Sequence, residues 1–453
     1  MRGSLPQLLA RGVEKGAMFV FFAGFARIFG AEAFGDFSYL FTVCTLLFIL
    51  FDLGGNFYQV PLLAKATDGK DPLATLIMAK SGLFLIILLA TLWFAPSPLL
   101  LILLISFYLN ALVVTARSWL YCRRQFQQEA SLNVLEKLLF LTAATVGGGI
   151  GKSLMACYWS FSVGRVGYLW AFFRRNRPRL NFPSRSEFLE TIQNSWSYLL
   201  HAAVVVVFIQ IDIVMLKHMG VASQDIGFYS ASYRIIAVGM VLPTVLLDIS
   251  YPQVTEYMGN QWFSKVHGVL FHPRRLNLLA GAILTIGVGF CASDLIWLIY
   301  GADFSASAPL LVLMSPLFLI SFLRFADSAI ISGTDFNRQK LIVSGLAAGT
   351  NITLNLFLIP AMGVYGALVA TVITEILVLM GFHWVATRAC PGQPHKTRDL
   401  LTILLGSSLV FGTGLLFYDH PIIRIAGWVI LISGGFYLLL ELRQGSMETK
   451  PIS

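Results

Sequence analysis

The sequence predicts an all-α integral membrane protein of about fourteen transmembrane helices, arranged as two pseudo-symmetric six-helix lobes and a final pair. Three observations carry that reading. Hydrophobic residues make up 57% of the 453 positions and charged residues only 12%, with a mean hydropathy of +0.75, against roughly 25% charged residues in soluble proteins. Apolar runs that can cross a hydrocarbon layer of about 30 Å, at about 20 residues per helix, recur along the whole chain. Lysine and arginine gather in alternate connections between those runs.

The first run, near residues 8–30, begins in MRGSLPQLLARGVEKGAMFVFF. Arg11, Glu14 and Lys15 interrupt its apolar start and no cleavage site follows, so it reads as an uncleaved first helix. Runs near 35–60, 76–95, 98–121, 130–150 and 153–173 complete a first group. RRNRPRLNFPSRSEF, from Arg174, is the most basic and least apolar connection and reads as a linker. A second group lies near 192–219, 226–250, 276–299, 308–332, 339–360 and 363–387, and runs near 399–418 and 421–441 form the added pair. The expected divisions are a first lobe over 1–174, a cytoplasmic linker over 175–190, a second lobe over 191–388, and 389–453 for the added helices and a short tail. IFGAEAFGDFSY and MGVASQDIGFYSA each place Gly, then an aromatic residue and Ser, after a short outer loop, a faint sign of duplication.

One set of connections holds Lys65, Lys70, Arg123, Arg124, Arg174, Arg175, Arg177, Arg179, Arg185, Lys265, Arg274, Arg275, Arg338, Lys340, Arg388, Lys396 and Arg398, and the other only Lys152, Lys217 and Arg424. Cytoplasmic loops carry the excess of Lys and Arg, which puts both termini in the cytoplasm. The net charge of +9 then reflects topology and contact with anionic lipid, not nucleic-acid binding.

Enzyme signatures fail. VGGGIGKS, residues 146–153, imitates a phosphate loop, but it has Val146 where the pattern needs Gly and no strand precedes it; it reads as a turn between spans. There is no HExxH, and the five cysteines form no CxxC pair. His201 and His383 are expected to be packed or hydrogen-bonded. The outer connections are too short for a membrane glycosyltransferase or polymerase.

What remains is charge within the spans: Arg27, Asp52, Lys80, Glu136, Lys137, Arg165, Asp212, Arg234, Arg324, Asp327 and Glu375. Such residues face a bundle interior or a wet cavity. Glu136 with Lys137, and Arg324 with Asp327, are spaced to pair on their own helices. Lys80 and Arg27 can snorkel toward an interface. Arg234 lies roughly 12 Å along its helix from the outer end, too deep for that. Its face, with Gly227, Ser230, Ala231 and Ala237, is small and weakly polar. Binding of an anion, or a buried pair with Asp212 or another carboxylate, are the two roles open to it.

ARIFGAEAFGDFSYLFTV, FDLGGNFYQV, IDIVMLKHMGVASQDIGFYSASYRIIAVGMVLPTVLLDISYPQV and NITLNLFLIPAMGVYGALVATVITE together resemble the polysaccharide-biosynthesis flippases of the multidrug/oligosaccharidyl-lipid/polysaccharide exporter superfamily. The resemblance implies two six-helix lobes around a central cavity. It also implies transport of undecaprenyl-diphosphate-linked oligosaccharide from the cytoplasmic to the outer leaflet of a bacterial cytoplasmic membrane by alternating access, for O-antigen or similar polymers. It is a transporter, not an enzyme, on this reading. Arg234 and Arg27 match basic positions and are the expected diphosphate ligands, with Arg165, Arg324 and Lys80 as further cavity charges. Asp212, Asn351, Asn355 and Thr371 resemble a sodium site, so sodium or a proton is the candidate coupling ion and no other cofactor or metal is expected. Expected partners are the lipid-linked substrate, membrane lipids, a polysaccharide polymerase and a chain-length regulator, with the transporter itself a monomer. Ile28 follows Arg27 where lipid II flippases carry an arginine–aspartate pair, which favours the polysaccharide branch over a lipid II flippase; a cation-coupled drug or metabolite exporter of the same superfamily is the alternative.

Overall fold

A computed structural model describes residues 5–64, 72–94, 97–178, 180, 183–334, 336–392, 412 and 420–448. Outside these lie Lys65, Lys70, Arg179, Lys396 and Arg398 of the basic connections, and the expected span 399–418 apart from residue 412. Each other expected span falls on helix. Among the described residues, nine helices are long and apolar enough to cross a membrane, and the pair Phe263–Phe290 and Ala292–Tyr300, bent by 77°, makes a tenth.

Helix α1, Leu5–Asp52, is two spans in one run, broken at Gly30 with φ 80° and ψ 177°. Phe22 and Phe41 on either side of the break are nineteen residues apart, about 28 Å along a straight helix, yet their rings sit 5.7 Å from each other. The chain therefore folds back at Gly30, where only glycine adopts such a φ without strain. Phe21, Phe25 and Phe37 join the same contact with Tyr158 and Phe161, so a phenylalanine-rich core holds the hairpin.

By compactness the chain divides into Met1–Val214 and Met215–Ser453. The first unit adds α2 (Gly55–Ala64), α3 (Pro72–Phe94), α4 (Pro98–Cys122), α5 (Phe126–Ala144), α6 (Leu154–Asn176) and α7 (Arg185–His218) as far as Val214. α7 packs within this unit: Tyr58 Oη donates to the Thr191 carbonyl at 3.1 Å, and the Tyr58 and Tyr198 rings lie 5.6 Å apart. Thr145–Ile150, the glycine-rich stretch, closes α5 as a π-helical turn. Its glycines serve packing, because a Cβ on Gly147 or Gly148 would strike Ala156 or Cys157 of α6.

The second unit holds α8 (Ser223–Gly239), α9 (Val241–Gly259), α10 (Phe263–Phe290), α11 (Ala292–Tyr300), α12 (Ser307–Met314), α13 (Pro316–Ser332), α14 (Asn337–Met362), α15 (Val364–Ala389) and α16 (Pro421–Glu448). α14 runs along α15, and α10 packs against both α13 and α16. Gly287, Gly427 and Gly434 let α10 and α16 approach closely, since a Cβ on each would meet Leu431, Phe290 or Ile283. Small residues at such contacts replace the hydrophobic drive that lipid removes.

Close approach gives a stability test. A Cβ on Gly164 would lie 2.6 Å from the Glu136 carbonyl oxygen, so Gly164→Ala must part α5 from α6. Overpacking of this kind costs about 1–3 kcal/mol. Gly345 has open space around it, and Gly345→Ala is expected to hold or raise stability, as alanine favours helix by up to about 1 kcal/mol. Thermal unfolding in detergent should lower the melting temperature for the first variant only.

Candidate functional site

In the first unit the charges within the spans are mostly satisfied in pairs. α1 ends in a break where Leu53, Gly54 and Gly55 have φ of 55°, 75° and 55°. Lys80 of α3 closes this break by donating to Asp52 Oδ1 at 2.9 Å and to the Ala111 carbonyl at 2.8 Å. Gln59 Nε2 donates to the Asp52 carbonyl at 2.7 Å. The Lys80 side chain is 0% exposed, so it neither snorkels nor lines a cavity. It ties three helices at a point where the backbone leaves helical geometry.

Near the α4–α5 connection of the same unit, Arg117 of α4 pairs with Glu129 at 3.0 Å and lies 4.0 Å from Glu14, which accepts from Asn133 Nδ2 at 3.3 Å. Lys137 pairs with its neighbour Glu136 at 2.7 Å, as their adjacency suggests. Arg165 is buried with its guanidinium 5.5 Å from the Phe107 ring and 5.6 Å from the Phe161 ring. Arg117 and Glu129 escaped the sequence reading, although a charge pair flanking the short α4–α5 connection was a visible signal. Arg27 is exposed on α1, three residues before the break at Gly30, on the side opposite the phenylalanine core. Asp212 is buried on α7.

In the second unit, Arg324 and Asp327 do not pair with each other. Arg324 donates to Glu375 of α15 at 2.5 Å. Asp327 accepts from Arg274 of α10 at 3.4 Å and faces His383 Nδ1 of α15 at 3.1 Å. Both residues reach α15, Arg324 through Glu375 and Asp327 through His383, and Asp327 also takes Arg274 of α10. His383 is hydrogen-bonded, as expected. Asn355 Nδ2 donates to Asn351 Oδ1 at 3.0 Å and Asn351 Nδ2 to Thr374 Oγ1 at 3.5 Å, which knits α14 to α15. Thr371 turns its hydroxyl to the Ala367 carbonyl of its own helix. Of the expected cation ligands Asn351 and Asn355 are thus joined, and Thr374, one turn from Thr371, adds a further oxygen beside them. Asp212 belongs to the other unit.

Arg234 sits at a transition along α8. Gly227 through Ser232 are buried, Arg234 is half-buried, and Ala237 and Val238 are exposed. Ser232 Oγ donates to the Ser307 carbonyl at 2.8 Å and Tyr300 Oη to the Ala231 carbonyl at 3.1 Å, which fixes the N-terminal half of α8 against the start of α12 and the end of α11. Tyr300 and Tyr233 both lie within electrostatic reach of the guanidinium. Ser230 Oγ is buried without a hydrogen-bond partner among the described residues. A rigid helix thus presents one arginine on a small-residue face just where that face opens. A planar guanidinium so placed suits the oxygens of a phosphate or carboxylate.

Comparison with known proteins follows this geometry. The profile of the family described as polysaccharide biosynthesis protein matches residues 1–258. The chain is similar to the Haloferax volcanii protein named Probable flippase AglR, 27% identical over 177 residues, which are 38% of this chain and 36% of that one. It is also similar to the same organism's Probable low-salt glycan biosynthesis flippase Agl15, 20% identical over 237 residues, 51% of this chain and 48% of that one. The match thus spans under half the length of either relative. Among solved structures, the lipid II flippase MurJ in an inward closed conformation aligns with a TM-score of 0.72 at 15% identity over 97% of this chain and 99% of that one. An inward-facing multidrug resistance transporter of the MATE family and MOP superfamily aligns at 0.65 and 14% identity over 83% and 94%. At these identities the likeness is one of fold.

The Lys80–Asp52 clamp is testable by a double-mutant cycle. Lys80→Met or Asp52→Asn alone should cost about 3–5 kcal/mol, because each strands a buried partner. The two together should cost less than the sum of the single changes. Thermal melts of the four proteins in detergent measure the coupling, and additive losses would show that the pair does not hold the break.

Proposed function

The chain belongs to the polysaccharide biosynthesis protein family, and on that premise we propose that it is a flippase. Its cargo on this reading is a polyprenyl-diphosphate-linked oligosaccharide, undecaprenyl in bacteria, carried from the cytoplasmic to the outer leaflet for surface polysaccharide assembly. The observation that carries the reading is Arg234, half-buried on the small face of α8 between buried Gly227, Ser230 and Ala231 and exposed Ala237. A lipid diphosphate must take negative charge through a layer of low dielectric constant, and an arginine in a preformed helix meets its oxygens with two parallel donors. The similarity to two proteins named as flippases, one of them of glycan biosynthesis, supports the same assignment.

Arg27 is the second proposed diphosphate ligand, exposed on α1 beside the break at Gly30. Arg165 contributes positive field within its unit, beside phenyl rings, whereas Arg324 is neutralised by its pair with Glu375. Lys80 is assigned to structure. The proposed location is the cytoplasmic membrane with both termini inside, and the Lys/Arg distribution supports that orientation. A polymerase and a chain-length regulator are proposed partners, since the flipped unit is the monomer those activities consume.

Reconstitution in liposomes with a diphosphate-linked oligosaccharide tests the arginine. Arg234→Ala is expected to reduce flipping at least about tenfold, the loss of a charge-assisted hydrogen bond worth about 1.5–3 kcal/mol. Arg234→Lys should retain an intermediate rate, because a point charge lacks the planar fork. Undiminished flipping by Arg234→Ala would remove the diphosphate assignment.

A further inference from the structure

α10 does not simply end. It bends by 77° at Cys291 into the nine-residue α11, which leads through Gly301 at φ 93° into a single turn and then α12. In the topology read from the basic residues this corner lies on the side poor in Lys and Arg, the outer side. A cavity of about 730 Å³ opens there, lined by Ser293, Asp294, Trp297, Gly301, Ser305 and Arg424 among others. That volume lies within the range of about 300–1,000 Å³ occupied by small-molecule ligands.

From this corner we infer a second binding site, for the neutral saccharide portion of the cargo as it emerges on the outer side; the inference rests on the flippase reading above. Three features set the chemistry. Ser293, Asp294 and Trp297 lie within about one turn of α11 and all three line the cavity, so Trp297, at 65% exposed, shares the cavity face with polar groups. Leu298 is exposed on the adjoining stripe, the position from which an interfacial helix meets lipid. Asp294 accepts from Trp428 Nε1 of α16 at 3.0 Å and forms an ion pair with Arg424. That pair cancels the charge of the arginine and disfavours an anion as the ligand, while leaving carboxylate acceptors and guanidinium donors side by side for hydroxyl groups. An indole face beside such a pair matches a pyranose ring, apolar on its C–H face and hydroxylated around its edge.

The walls are preset. α16 is held against the bend because a Cβ on Gly427 would lie 2.8 Å from Phe290 Cβ and 2.9 Å from the Cys291 nitrogen. Tyr300, at the end of α11, donates to Ala231 of α8. The corner is therefore fixed to the helix that carries Arg234, three residues further on. One rigid segment, α8 with α11, would present a diphosphate ligand at one end and a sugar platform at the other.

The test uses full-length protein in nanodiscs and the neutral oligosaccharide released by mild acid from the producing cells' own lipid-linked pool. Calorimetry should show binding to the wild type, about tenfold weaker binding by Trp297→Ala, and near wild-type affinity for Trp297→Phe. Ser305→Trp, a change at an exposed rim position, should abolish binding by filling the cavity while leaving the Asp294 tether intact. Arg234→Ala should keep affinity for this diphosphate-free sugar. Absence of binding by the wild type, or equal binding by Ser305→Trp, would overturn the site. So would a phosphatidylglycerol adduct in native mass spectra that Ser305→Trp removes while sugar binding is unaffected. A wild type that binds the sugar but fails to flip the lipid-linked form would instead sink the flippase reading and leave the sugar site standing.

Discussion

A charge inside the spans must be satisfied by protein or face a wet cavity, because hydrocarbon offers nothing to a bare ion. That requirement shapes both units. Lys80 with Asp52, Arg117 with Glu129, Arg324 with Glu375, and Arg274 and His383 with Asp327 each join different helices. A pair of this kind adds little net stability compared with apolar residues of the same shape, since desolvation opposes the attraction. What it does supply is register: a helix that slides by a residue or rotates by a stripe strands two charges at once. The pairs therefore fix how helices meet, and the phenylalanine and glycine contacts fill the space that remains.

The same constraint explains where the backbone departs from helix. At Leu53–Gly55 the break would expose carbonyls to lipid, and Lys80 and Gln59 take two acceptors there, the Asp52 carboxylate and its carbonyl. At Gly30 the reversal is a tight one, closed by aromatic packing between Phe22 and Phe41. At Cys291 the chain turns along α11 and is fastened by Trp428 and Arg424 to the last helix. Irregular backbone at membrane depth occurs only where protein covers it or a cavity solvates it, and each break here has its own cover.

The span pattern was legible in the sequence because hydropathy over about 20 residues is a sum and forgives detail. So were charges such as Lys80, Asp52, Arg165 and Arg324, rare enough in such runs to stand out, whereas Arg117 and Glu129, beside a short connection, did not. Their partners were legible only for adjacent residues, as with Glu136 and Lys137. Arg324 and Asp327 suggested a pair along one helix, yet each was taken by a neighbouring helix, because stripe spacing alone does not reveal which helix lies opposite. The Asn351, Asn355 and Thr374 ladder shows the same limit: either Thr371 or Thr374 suited the pattern, and packing of α15 chose. The corner at α11 gave no sequence signal as a site, since a serine, an aspartate and a tryptophan in an apolar run look like an ordinary helix end.

On the flippase reading, direction of transport needs less than a coupling ion. A lipid diphosphate leaving an inside-negative cell moves down the electrical gradient, and each charge crossing 100 mV gains about 2.3 kcal/mol. Asn351 meanwhile bonds both Asn355 and Thr374, which joins α14 to α15. A carrier built this way has to lower the barrier for the diphosphate and offer the glycan somewhere to go. The arginine face of α8 answers the first demand and the corner beside it the second, with the membrane potential supplying the bias between the two leaflets.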